Sequence, residues 1–191
     1  RFLVVWREQG GLAQHGYPLA NAFTEVNPAD GAPYLVQYFE RARFEYHPEN
    51  ATSDDVQLGL LGREQFQARY PDGSPGGDRA FADAECAWYP QTGKQICGPF
   101  LAYWREHGGL ARQGLPLTGH FLERNPADGE TYAVQYFERA RFEYHPGQAG
   151  LPGAVLLGLL GSEQFLARYP DGTFPGSPPP SPNGNSTSSN Q

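Results

Sequence analysis

The chain repeats itself, and the repeat limits what it can fold into. Residues 36–48 read VQYFERARFEYHP, and residues 134–146 read the same letters at an offset of 98. That offset also aligns Phe2 with Phe100, Trp6 with Trp104, Gly10-Gly11 with Gly108-Gly109, and Pro18 with Pro116. It aligns the NPADG run at 27–31 with the one at 125–129. After the shared His-Pro pair one residue is inserted. The offset becomes 99, and the LGLLG run at 58–62 meets 157–161, as YPDG at 70–73 meets 169–172. Each copy must therefore take the same local structure, and a unit of hairpins and short helices cannot bury its own apolar face. It must stack on a neighbour. The stretch where the copies differ in length, 49–56 against 147–155, is a surface connection.

Composition agrees with a folded, turn-rich chain. The 191 residues include 24 Gly and 18 Pro beside 11 Tyr and 12 Phe, enough aromatic area to offset chain entropy. Net charge is −7 with a single lysine, Lys94, and no basic cluster, which argues against nucleic acid as a partner. No apolar run approaches the roughly 20 residues needed to span a bilayer. The chain carries no Met and no signal peptide, so a processed product or a portion of a longer chain is expected. Copy two has a lead-in running from Cys86 to Cys97 and Gly98. Copy one starts at Arg1 without it, as in a cut array or one completed by another chain.

Within copy two, residues 99–107 (PFLAYWREH) read as a short helix with proline at its first position and Gly108 after it. Residues 131–137 (TYAVQYF) and 140–144 (ARFEY) alternate as two strands of a hairpin turning near Glu138-Arg139. Residues 162–169 (SEQFLARY) read as a helix capped by Ser162. Arg63 stands at that cap in copy one, so the first helix is expected to start less firmly. A weaker half-repeat relates Tyr89-Pro90, Ile96-Cys97-Gly98 and the Phe100 to Trp104 segment to Tyr144-His145-Pro146, Leu156-Leu157-Gly158 and the Glu163-Gln164-Phe165 segment. The fold class expected is α+β or mainly β: two tandem modules of short antiparallel hairpins and short helices, stacked in a propeller-like or solenoid-like way. The expected organisation is module 1 over 1–75, a linker and disulfide hairpin over 76–98, module 2 over 99–175, and a Pro/Ser/Asn-rich tail over 176–191.

These residues resemble the LGFP repeat of bacterial cell-envelope proteins. The resemblance is carried by Trp88-Tyr89-Pro90, Thr92-Gly93, Ile96-Cys97-Gly98, Trp104, Gly108-Gly109 and Gly114-Leu115-Pro116. In copy one it is carried by Trp6, Gly10-Gly11 and Gly16-Tyr17-Pro18. Two departures stand out: Glu-Arg-Ala-Arg replaces the family's glycine-rich hairpin turn, and the module is nearly doubled in length. The resemblance implies a role at the bacterial envelope, often beside a separate enzymatic domain, and ring-like or propeller-like packing of units.

Cys86 and Cys97 flank a Thr-Gly turn and are expected to form a disulfide, which for so short a loop stabilises by about 2–3 kcal/mol and implies an oxidising, extracytoplasmic setting. A metal site would need ligands beyond two thiols, and no His or third Cys is near in sequence. His47 and His145 are the histidines present in both copies, and no Ser or Cys nucleophile is matched to them. Glu40, Arg41, Arg43 and Glu45, with Glu138, Arg139, Arg141 and Glu143, read as weak cross-strand ion pairs on a solvated face rather than as a glycosidase carboxylate pair, since each acid has an arginine close by. Trp6, Trp104, Tyr38 and Tyr136 occur once per copy and are candidates for stacking on sugars. The NPADG runs lack the ligands of a calcium loop and read as turns. Asn50 and Asn185 match the glycosylation pattern. The tail, too polar to bury, is expected to be ordered only if a neighbour, glycans or other contacts hold it.

The expectation is a non-enzymatic extracellular structural or adhesive repeat protein of a bacterial cell surface, with a self-assembling filament or surface-layer subunit as its more specific form. The rival is a cell-wall or polysaccharide-binding module serving a separate catalytic domain. No cofactor is expected. The partners expected are copies of the chain itself, neighbouring surface subunits, or cell-wall polysaccharide.

Overall fold

Alternation of apolar and polar residues demands strand, reversal and strand, and both copies answer alike. The computed structural model describes residues 1–27, 30–73, 81, 84–125, 128–148, 150 and 153–177. Copy one runs through α1 (Phe2–Glu8), α2 (Gly11–His15), β1 (Phe23–Val26), β2 (Pro33–Tyr38), β3 (Arg43–Tyr46), β4 (Val56–Leu58) and α3 (Leu61–Arg69). A hairpin of β5 (Cys86–Tyr89) and β6 (Lys94–Cys97) leads into copy two. There follow α4 (Gly98–Glu106), α5 (Gly109–Arg112), β7 (Phe121–Arg124), β8 (Thr131–Tyr136), β9 (Arg141–Tyr144), β10 (Val155–Leu157) and α6 (Leu160–Arg168). Each copy's four strands form an antiparallel sheet in sequence order, and β5–β6 is a third, two-stranded sheet. The fold is α+β, and no closed barrel or propeller is found among the described residues.

The expected hairpin is present. Tyr136 pairs with Arg141, and Phe137 N–H bonds to Ala140 O at 2.8 Å across the reversal. The half-repeat is present too: β5–β6 followed by α4 mirrors β9–β10 followed by α6. The disulfide joins Cys86 to Cys97, which face each other in register immediately before α4. The helix at 162–169 is a correction. It begins at Leu160, so Ser162 lies inside it and makes no cap; α3 begins at the matching Leu61, and Arg63 does not delay it. Gly108 and Gly109 have φ of +90° and +48°, which lets the chain turn tightly under the ring of Trp104.

Strand alternation gives each sheet two buried faces. On one face of the first sheet, Phe44 and Val56 meet Phe2 and Val5 of α1. On the corresponding face of the second, Phe142 meets Phe100 and Leu101 of α4. The opposite faces are covered by exchange. Phe66 and Tyr70, carried by or just after α3, pack on Phe121, Val134 and Tyr136 of the second sheet. Phe165 and Tyr169, carried by or just after α6, pack on Phe23, Val36 and Tyr38 of the first. Burying each such aromatic contributes roughly 2 kcal/mol.

The exchange needs close backbone approach. A Cβ on Gly62 would overlap the carbonyl oxygen of Phe137, and one on Gly161 would overlap that of Phe39. The neighbouring amides use the space: Arg63 N–H donates to Glu138 O at 3.1 Å and Ser162 N–H to Glu40 O at 3.0 Å. Gln14 and Gln113 exchange side-chain hydrogen bonds across the same junction. Residue i of one copy meets j of the other and the reverse, so the copies are related by an approximate two-fold axis. The packing unit is therefore not the sequence module. Each helix serves the sheet that follows it, and α6, with no later sheet among the described residues, closes on the first.

Gly161→Ala forces a methyl group into the Phe39 carbonyl and is expected to cost about 3 kcal/mol. Gly147→Ala, where a Cβ meets nothing within 4 Å, should leave stability unchanged. Urea unfolding midpoints of the two variants check this.

Candidate functional site

Arg43 and Glu45 lie on the strand face that also carries Tyr38, because Tyr38 pairs with Arg43 and Val36 with Glu45. That face is the one α6 covers, and the outcome corrects the expectation of a solvated charged surface: Arg43, Glu45, Arg141 and Glu143 are all buried. The guanidinium of Arg43 sits between Glu45 (2.6 Å) and Glu25 (3.2 Å). Tyr38 donates to Glu25 at 3.0 Å. The other copy completes the cluster, with Arg168 of α6 paired to Glu25 and Tyr169 donating to it at 2.8 Å.

The second sheet repeats the arrangement. Arg141 sits between Glu123 (2.7 Å) and Glu143 (2.8 Å), and Tyr136 donates to Glu123 at 2.9 Å. From copy one, Arg69 pairs with Glu123 at 2.7 Å and Tyr70 donates to it at 2.8 Å. Glu25 and Glu123 thus each receive donors from two arginines and two tyrosines, half of them from the opposite copy. The tyrosines stay protonated donors. Burial, and next the hydrogen bond to Glu123 or Glu25, pushes Tyr70 and Tyr169 up to about 12. Burial also raises Tyr38 and Tyr136.

Tyr38 and Tyr136 are 0% exposed, which removes them as sugar-stacking residues. Trp6 and Trp104 are half-buried, and their indole N–H groups are used on Gly16 O and Gly114 O, each at 3.0 Å. Tyr89 meets the Trp104 ring edge-on at 5.3 Å. Both tryptophans act as packing residues over the glycine pairs. His47 and His145 end their strands against Tyr34 and Tyr132, with ring centroids 4.2 and 4.1 Å apart, and contact Glu49 and Glu143 respectively. Asn50 is half-buried and donates to Asp54 O. Asn185, most of the tail, and the central Pro-Ala of each NPADG run lie outside the described residues. Among the described residues, no group of three or more His, Cys, Asp or Glu is placed to hold a metal ion, and no helix is long and apolar enough to cross a membrane.

The residues that sequence reasoning missed are Glu25, Glu123, Arg69 and Arg168. Their signal was present: Phe-x-Glu at 23–25 and 121–123 repeats with strand spacing, and Ala-Arg-Tyr closes both α3 and α6. No protein-family model matches the chain, and neither a curated protein nor a solved structure matches it.

His15 is the buried histidine at the junction. It lies edge-on to Phe44 at 4.8 Å, and its Nε2 contacts Gln9 O at 3.1 Å. Burial pulls its pKa down to about 4. Copy two places Gln113 there, donating to His107 O at 2.9 Å. The native state holds the imidazole neutral while the unfolded chain protonates it below about 6.5, so stability falls as pH drops from 6.5 towards 4. His15→Gln copies the second module and removes the proton uptake. Between pH 7 and pH 4 the native chain should lose about 3 kcal/mol more stability than the variant in denaturant titrations.

Proposed function

We propose that the chain is a non-enzymatic structural repeat protein of a bacterial cell surface that assembles through the contact that closes it. The observation that carries this reading is the seat of α6 on the first sheet. Phe165, Arg168 and Tyr169 fill the same kind of socket on β1–β4 that Phe66, Arg69 and Tyr70 fill on β7–β10. A second chain's α6 offers that socket identical chemistry, so closure within a chain and linkage between chains compete by concentration. Linkage repeated head to tail gives a filament, and more modules in one chain would extend the array as a solenoid.

The disulfide supports an oxidising, extracellular setting. The motifs shared with LGFP repeats support the cell envelope. A non-catalytic role is supported by four of the acids that repeat in both copies: Glu25, Glu45, Glu123 and Glu143 are buried and committed to arginine.

The test is co-refolding. Donor- and acceptor-labelled chains diluted together from denaturant at high concentration should give energy transfer and masses at multiples of the single chain, while the same chains mixed after folding should not. Monomers alone across the whole concentration range would defeat the assembly reading.

A further inference from the structure

The two copies agree at the exchanged joint and diverge beside it. A groove of about 1050 Å³ runs between copy one's α2 and copy two's α4, β10 and α6. Its copy-two lining differs from the matching copy-one positions at several places. Leu156 and Leu166 stand where copy one has Gln57 and Gln67, Tyr103 where it has Val5, and Arg112 where it has Gln14. Leu156, Leu159 and Leu166 are 42%, 45% and 62% exposed in the groove, an apolar strip no fold contact requires.

The charges at its rim are not equivalent. Arg69 and Arg141 are held by Glu123, and the two carboxylates of the lining are matched, Glu143 by Arg141 and Glu163 by Arg69 at 3.8 Å. Arg112 has no ion pair among the described residues, and Arg41 has only Glu40 at 4.0 Å. In a chain of net charge −7, Arg112 without an ion pair among the described residues and Arg41 held by Glu40 at 4.0 Å and by Leu12 O at 3.3 Å, beside a leucine strip, are complementary to an anion with an apolar body.

We propose that this groove binds an amphipathic carboxylate, its head on Arg112 and Arg41 and its alkyl chain along Leu156, Leu159 and Leu166. Copy one's Gly10, Ala13 and Gln14 form the opposite wall, so the ligand is bound by the closed form. The proposal does not rest on the assembly reading, since a strictly monomeric chain has the same groove.

Dodecanoate is the probe, measured by titration calorimetry against the folded chain below its micelle concentration. Saturable binding is expected at one site per chain. Arg112→Gln, and separately Leu156→Gln with Leu166→Gln, should each weaken it by about tenfold. These variants restore residues that copy one carries at the same places, and circular dichroism and thermal unfolding confirm that they fold. Dodecyltrimethylammonium, with the same chain and opposite charge, and acetate, with the same head and no chain, should bind at least tenfold more weakly. No binding of dodecanoate overturns the proposal. So does equal binding by the cationic amphiphile, or unchanged affinity in folded variants.

Discussion

A sheet whose residues alternate between two apolar faces needs cover on both, and one module carries cover for only one. The N-terminal helix of each copy takes the Phe44 or Phe142 side. The side of Tyr38 or Tyr136 is left to a helix that leaves its own sheet after Leu58-Gly59 or Leu157-Gly158. Everything distinctive here follows from that shortage: the crossing at the paired glycines, the approximate two-fold, and the closure of the last helix on the first sheet.

The exchanged face is not a plain apolar seam. Burying a guanidinium and two carboxylates is expensive, and a well-packed apolar face would hold the helices at least as strongly. What the buried ions add is register. Glu25 accepts from its own copy's Arg43 and Tyr38 and from the other copy's Arg168 and Tyr169, so a helix shifted by one position strands a buried charge. Because α3 and α6 carry the same Ala-Arg-Tyr ending, the register signal is strict about alignment and indifferent to which copy supplies the helix.

Much of this was legible in the sequence. Repetition and alternation located the β2–β3 and β8–β9 hairpins, the cysteine spacing located the disulfide, and the half-repeat located hairpin-then-helix units. What could not be read was partnership. The charges at 43 and 45 look solvated because period-two alternation assigns residues to a face without saying what lies over it. Tyr38 and Tyr136 look available for the same reason. Strand β1, only four residues long and flanked by turn residues, carries too little periodicity to stand out, yet it supplies Glu25. Residues separated by 143 positions, such as Glu25 and Arg168, meet only through the crossing, which local pattern does not encode.

A helix that serves the sheet after it, and a last helix that returns to the first, make both joints of this chain the same in kind. A module added in tandem would bring its own Gly-Leu-Leu-Gly run and Ala-Arg-Tyr ending, and so its own helix for the next sheet. Array length can therefore change module by module, provided each module keeps the Gly-Leu-Leu-Gly run that makes the crossing and the Ala-Arg-Tyr ending that completes the buried ion cluster.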